Sequence, residues 1–320
     1  MSLKSNNQLL LYNLIFKREA IFTLGLGGVW LLGSFIWELN TGIISEPIFS
    51  HDTIDITVLH LLIGISAIYF NLVLQSTKLV GNNDFSAFFL TVVLLSGAGG
   101  GVVSFQFVGG FLLLLALVQK IQKGFNQTET VFSEFEIGVI AGLLTVTHPL
   151  FIVVFPFAYV ALVNVKVNTW RGHFAVLLGF IFIVFLKLCL FIFIDHPFYF
   201  SELLGLKFAP KSLVVHGLKQ QISAILLVGI FLISMKHFTK VSAQLNIKIR
   251  VFYKVWLWLS LFLLSGLLLL ENTFTIPQML LVINLPLLVL YQLAVRSFSK
   301  KIMKELAILI LLLAVLFIKY

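Results

Sequence analysis

Apolar residues run along this chain in long uninterrupted stretches separated by short polar connections. A helix needs roughly 20 such residues to cross a bilayer, so the pattern predicts an all-α, polytopic transmembrane helical bundle. The runs fall at about 21–37, 54–74, 85–96, 102–118, 137–146, 149–163, 174–194, 217–235, 255–270, 277–295 and 306–318. Between the fifth and sixth stands His148-Pro149, where proline removes a backbone donor and biases the residue before it away from helix. Two short helices with an outward turn at His148 are therefore expected instead of one crossing. A single crossing would also put every later basic cluster on the other side. About 11 crossings follow, with the amino terminus cytoplasmic and the carboxyl terminus periplasmic.

Three local features refine this outline. Residues 8–16 are apolar but too short to span, which predicts a cytoplasmic interfacial segment over 1–18 ahead of one integral-membrane domain over 19–320. The first full run follows Lys17 and Arg18 without a small-residue cleavage site, so it reads as a retained helix, not a removed signal. Run 85–96 is short for a crossing, which predicts that other helices surround it, and Gly97-Ala98-Gly99-Gly100-Gly101 after it predicts a tight hairpin. Whether the short helices at 85–96 and 137–163 fully cross or re-enter is open at this point.

Composition agrees with the pattern. The 320 residues are 60% hydrophobic and 11% charged, against about a quarter charged in soluble domains. Charge then orients the bundle. Of 22 lysines and arginines, about 17 fall in the connections on the amino-terminal side, about four on the other side and one, Lys187, inside a run. This is the positive-inside pattern of a multi-pass bacterial inner-membrane protein. The net charge of +9 is spread over short connections without an aromatic-interleaved groove, so it implies contact with membrane lipids and no nucleic acid. The lone Cys189 forms no internal disulfide and reads as a small packing residue. The five tryptophans read as interface anchors.

Candidate chemistry gathers at the outer face. Asp52 and Asp55 stand three apart at the start of the second run, where they share a helix face and Asp52 is placed to cap the helix. His148 and His196 lie at later outer turns. Carboxylates and imidazoles of this kind suit general acid and base work or a divalent metal, but no HExxH, paired CxxC or other close-spaced ligand set occurs, and no cofactor follows from the sequence. Lys187 is an ionisable group deep in an apolar run. It is either functional, with a phosphate or a carboxylate such as Asp55 as partner, or it snorkels to the outer interface.

Several segments carry a family likeness: KLVGNNDF over 78–85 with the paired short helices after it, VFSEFEIG over 131–138 leading to His148-Pro149-Leu150-Phe151, and Trp170-Arg171 followed by Leu177-Leu178-Gly179. In these the chain resembles a Bacteroidota family of multi-spanning inner-membrane proteins, the domain of unknown function 6427. That resemblance implies a membrane protein and assigns no catalytic residue. The layout is also similar to membrane glycosyltransferases that use polyprenyl-phosphate-linked sugars, which implies a role for the acidic pair Asp52 and Asp55, although the first outer loop is much shorter here.

Three functions are consistent with these residues. The first is a non-enzymatic subunit or scaffold of a cell-envelope membrane complex, with other envelope membrane proteins as partners. The second is a lipid-linked sugar or phosphate transferase using Asp52, Asp55, His148 and His196. The third is a transporter, for which Lys187 and the broken run at His148-Pro149 speak. The absence of a strong catalytic pattern puts the subunit first.

Overall fold

The computed structural model describes residue 15 and residues 20–42, 51–81, 84–97, 105–125, 131–165, 169–194, 218–269, 276–298 and 300–319. Among these the chain is helical, with no strand. Eleven α-helices lie among the described residues: α1 (Ala20–Gly42), α2 (His51–Ser76), α3 (Ser86–Gly97), α4 (Phe105–Gly124), α5 (Val131–Thr147), α6 (Val154–Asn164), α7 (Trp170–Phe193), α8 (Leu218–Val241), α9 (Ile247–Leu269), α10 (Ile276–Ser297) and α11 (Lys301–Lys319). A 3-10 turn, Pro149–Val153, joins α5 to α6. Every predicted run coincides with a helix. Several helices extend past the apolar run by a turn or more, because amphipathic or charged flanks continue the backbone ladder beyond the apolar stretch.

Three of these helices are long and apolar enough to cross a membrane among the described residues: Asp55–Ser76, Phe105–Gly124 and Trp170–Phe193. The interfacial segment expected over 8–16 lies outside the described residues apart from Ile15, which is buried. The glycine-rich stretch after Gly97 also lies outside them.

The chain divides into two compact units. The first comprises 1–100, 216–244 and 288–320, the second 101–215 and 245–287. In the first, α1 and α2 pack antiparallel, shown by Leu31 against Gly64 and the Phe35 ring against His60. The short α3 lies against both. Every residue from Ser86 to Ser96 is buried, as expected for a helix enclosed by others. Its Phe88 and Val92 form a core with Ala67 of α2, flanked by Leu24, Trp30 and Leu31 of α1. The same unit packs α8 against α11.

The second unit is built on α5, α6 and α7. Glu134 meets Gly172, Gly138 meets Val176 and Gly142 meets Ile183, so α5 and α7 run parallel. Phe155 meets Phe180 and Tyr159 meets His173, so α6 runs antiparallel to α7. The chain therefore reverses between α5 and α6, at His148-Pro149, as the proline predicted. Helix α9 packs on α6 and on the 3-10 turn. Trp256 of α9 is completely buried, which corrects its assignment as an interface anchor. Its neighbour Trp258 is exposed, on the opposite side of the helix.

Candidate functional site

The segment KLVGNNDF forms a helix-to-helix junction in the first unit, and its residues make that junction by capping. Helix α2 ends with Lys78 in the left-handed region, φ 59°. The Lys78 N–H donates to Gln75 O at 2.9 Å and the Leu79 N–H to Leu74 O at 3.0 Å. This pair of bonds is the Schellman arrangement, and Leu74 and Leu79, at the positions where an apolar contact commonly accompanies it, are both buried. Helix α3 is then capped from two directions. Asp84 Oδ1 accepts from the Ser86 N–H at 2.9 Å, and buried Asn71 of α2 accepts through Oδ1 from the Phe88 N–H at 3.3 Å. The Gln75 side-chain amide donates to Asp84 O at 3.2 Å.

The second carboxylate oxygen of Asp84 pairs with Arg296, near the end of α10 and 212 residues along the chain. Both side chains are mostly enclosed, so the pair is screened less than a surface ion pair and each partner needs the other. Neither residue stood out in the sequence as a candidate. An isolated aspartate before a short apolar run is the available signal, since Asp and Ser there are strong cap formers.

In the second unit, VFSEFEIG opens α5 and sets it against α7. Glu134 lies in the first turn of α5, is buried, and its carboxyl would be 2.5 Å from a Cβ on Gly172. Gly172 is in the first turn of α7, whose N-cap Thr169 accepts from the Gly172 N–H at 3.3 Å. Because the two helices are parallel, the Glu134 carboxylate sits at the amino-terminal end of both, where their dipoles favour negative charge. Two residues on, Glu136 pairs with Lys120 of α4. Neither glutamate stood out in the sequence, which places both in the polar connection ahead of the apolar run at 137, whereas the structure places them in the first two turns of α5.

The predicted site residues are placed as follows. Helix α2 begins at His51, so Asp52 is a residue of its first turn and not the cap that the sequence suggested. The Asp52 side chain lies outside the described residues. Asp55 is exposed in the next turn. His196 lies outside the described residues. His148 is buried at the α5-to-α6 reversal and caps the 3-10 turn: its Nδ1 accepts from the Leu150 N–H at 3.1 Å, while its carbonyl accepts from the Phe151 N–H at 3.0 Å. Burial pushes its imidazole down to about 4, so the ring is neutral at neutral pH and carries its proton on Nε2. Lys187 is half-buried on α7 with its Nζ over the Phe191 ring, 5.5 Å from the centroid. Asp52 and Asp55 belong to the first unit, His148 and Lys187 to the second.

What these groups do chemically is hold the backbone. The described polar contacts of Asn71, Gln75 and Asp84 close a helix junction, and those of His148 close a reversal. Among the described residues, no three His, Cys, Asp or Glu side chains are grouped to hold a metal ion.

The family described as a family of unknown function (DUF6427) matches residues 11–320. No curated protein and no solved structure matches the chain.

Proposed function

The chain belongs to this family of unknown function, and from that premise we propose that it is a non-enzymatic subunit or scaffold of a cell-envelope membrane complex. In this proposal it is a multi-pass protein of the bacterial inner membrane, with about 11 crossings, a cytoplasmic amino terminus and a periplasmic carboxyl terminus.

Helix α7 carries the proposal. One side, with Gly172, Ala175, Val176 and Gly179, is buried against its neighbours. The other side exposes Leu178, Ile181, Phe182, Phe185, Leu186 and Leu190, an apolar stripe that also carries the exposed Cys189 and has the exposed Arg171 at its amino-terminal end. A helix packed along one side and largely apolar along the other is suited to hold lipid or partner helices at a set position.

Extraction from native membranes in a mild detergent, followed by mass spectrometry of the purified material, tests this. Stoichiometric membrane polypeptides should accompany the chain, and Phe182→Ala with Phe185→Ala should release them. Purification of the chain alone, from native membranes and at native expression, overturns the subunit role.

A transferase acting on lipid-linked sugars or phosphates is the second proposal, supported by Asp55 being exposed in the early turns of α2. It requires Asp52, Asp55, His148 and His196 to act together, so Asp55→Asn should abolish transfer to a polyprenyl-phosphate acceptor while the folded protein persists. A transporter rests on Lys187 and the reversal at His148-Pro149, and Lys187→Met should then abolish substrate uptake.

A further inference from the structure

The sequence from Lys236 to Lys254 contains five basic residues, Lys236, Lys240, Lys248, Arg250 and Lys254, and no acidic one. Its second half is the start of α9, whose first turn carries no acid either. Positive charge at the amino-terminal end of a helix opposes the helix dipole. Its concentration here calls for an anion from outside the chain.

The side chains divide by face. Lys248 turns inward over aromatic rings, 5.7 Å from the Phe125 centroid and 5.6 Å from that of Phe252. Arg250 and Lys254, four residues apart, share the other face with Ile247 before them and Trp258 after them. Ile247, Lys254 and Trp258 are all exposed. Like charges at this spacing repel one another, and among the described residues neither Arg250 nor Lys254 has a carboxylate partner. Arg250 spends one Nη2 donor on Leu245 O at 3.4 Å, while its Nε is buried without a hydrogen-bond partner.

We propose that this face of α9 binds an anionic phospholipid, the headgroup phosphate lying between Arg250 and Lys254 and an acyl chain running along Trp258. Four residues of helix rise about 6 Å, so the two cations bracket one phosphate, and Trp258 lies a further turn along, where the glycerol and the first methylenes of that lipid would be. Guanidinium donors match phosphate oxygens in pairs, and an indole beside the cations belongs at the boundary between headgroup and hydrocarbon. The site rests on the chain being embedded in a membrane and is independent of any partner protein.

Native mass spectrometry of the whole chain in mild detergent, titrated with phosphatidylglycerol or phosphatidylcholine, tests the site. The natural sequence should favour phosphatidylglycerol by about thirtyfold, the order expected for two basic residues near an anionic lipid. Arg250→Gln with Lys254→Gln should bring the ratio close to one, while Lys236→Gln with Lys240→Gln should leave it unchanged. An equal loss from both pairs means diffuse attraction to a basic segment and overturns the site, as does a preference that survives the first pair. Displacement of the lipid by millimolar inorganic phosphate would assign the cations to free phosphate and overturn the lipid.

A second measurement needs no altered cation. Brominated phosphatidylglycerol should quench a fluorescence component that is missing in Trp258→Phe, and brominated phosphatidylcholine should quench it much less. Equal quenching overturns the proposal. Recovery of the chain in the soluble fraction without detergent would mark failure of the membrane assignment itself, and lack of co-purifying polypeptides would leave the lipid result intact.

Discussion

Gly138 of α5 stands directly against the carbonyl oxygen of Val176 on α7, so close that a Cβ on Gly138 would overlap it. The contact is reciprocal, because a Cβ on Gly179 would overlap the carbonyl oxygen of Phe135 and stand 2.9 Å from the Val139 nitrogen. With Gly142, whose Cβ would be 2.8 Å from that of Ile183, these glycines let two parallel helices touch backbone to backbone. This is the small-residue packing by which helices associate where the hydrophobic effect between them is weak.

Gly138→Ala should therefore cost about 1–3 kcal/mol, since backbone must move to admit the methyl group. Gly109→Ala, at a helical position with nothing within 4 Å of the added atom, should be neutral or stabilising by up to about 1 kcal/mol. Thermal unfolding in detergent, followed by far-UV circular dichroism, compares the two. A Gly138→Ala protein as stable as the natural one contradicts the packing.

Lys78 holds a left-handed backbone position, the one non-glycine residue to do so among the described residues, and glycine has no steric penalty there. Lys78→Gly should raise the melting temperature, by about 0.5–1 kcal/mol of stability. Lys78→Val, β-branched at the same position, should lower it. Loss of stability in both would show that the Lys78 side chain, and not its backbone, matters at this turn.

Asp84 and Arg296 should be energetically coupled. In a double-mutant cycle with Asp84→Asn and Arg296→Gln, the coupling should be about 1 kcal/mol or more, because the pair is largely enclosed and each single change leaves a charge without its counter-charge. Additive effects of the two changes contradict the pairing.

His148 makes stability depend on pH with a defined sign. Its folded-state value of about 4 lies below the ordinary imidazole value of 6.5, so the unfolded chain binds a proton that the folded chain refuses. Stability is complete above pH 6.5 and falls as pH drops from 6.5 toward 4. Protonation would also remove the Nδ1 acceptor used by Leu150. His148→Asn keeps a capping acceptor without the titration, so its melting temperature should fall less than that of the natural protein across this window. Parallel curves over that range contradict the assignment.

The fold was largely legible because the bilayer requirement writes itself into run length and proline position. The reversal at His148-Pro149 and the enclosure of α3 both follow from single residues or short lengths visible in the sequence. The junctions were less legible. Asp84, Glu134 and Arg296 act through partners 2 to 212 residues away along the chain or on another helix, and nothing local distinguishes such a residue from a solvated loop charge. Trp256 and Trp258 make the same point: they stand two apart, and helix geometry sends one to the core and the other to the surface.

Orientation underlies every functional assignment made for this chain, and cysteine accessibility measures it directly. The exposed Cys189 is first replaced by serine, and single cysteines are then placed at Lys240 and at Asp55. A membrane-impermeant maleimide applied to intact spheroplasts should label Asp55→Cys at once and Lys240→Cys only after the membrane is opened. Labelling of Lys240→Cys in sealed spheroplasts, with Asp55→Cys protected, would turn the protein over and contradict the account.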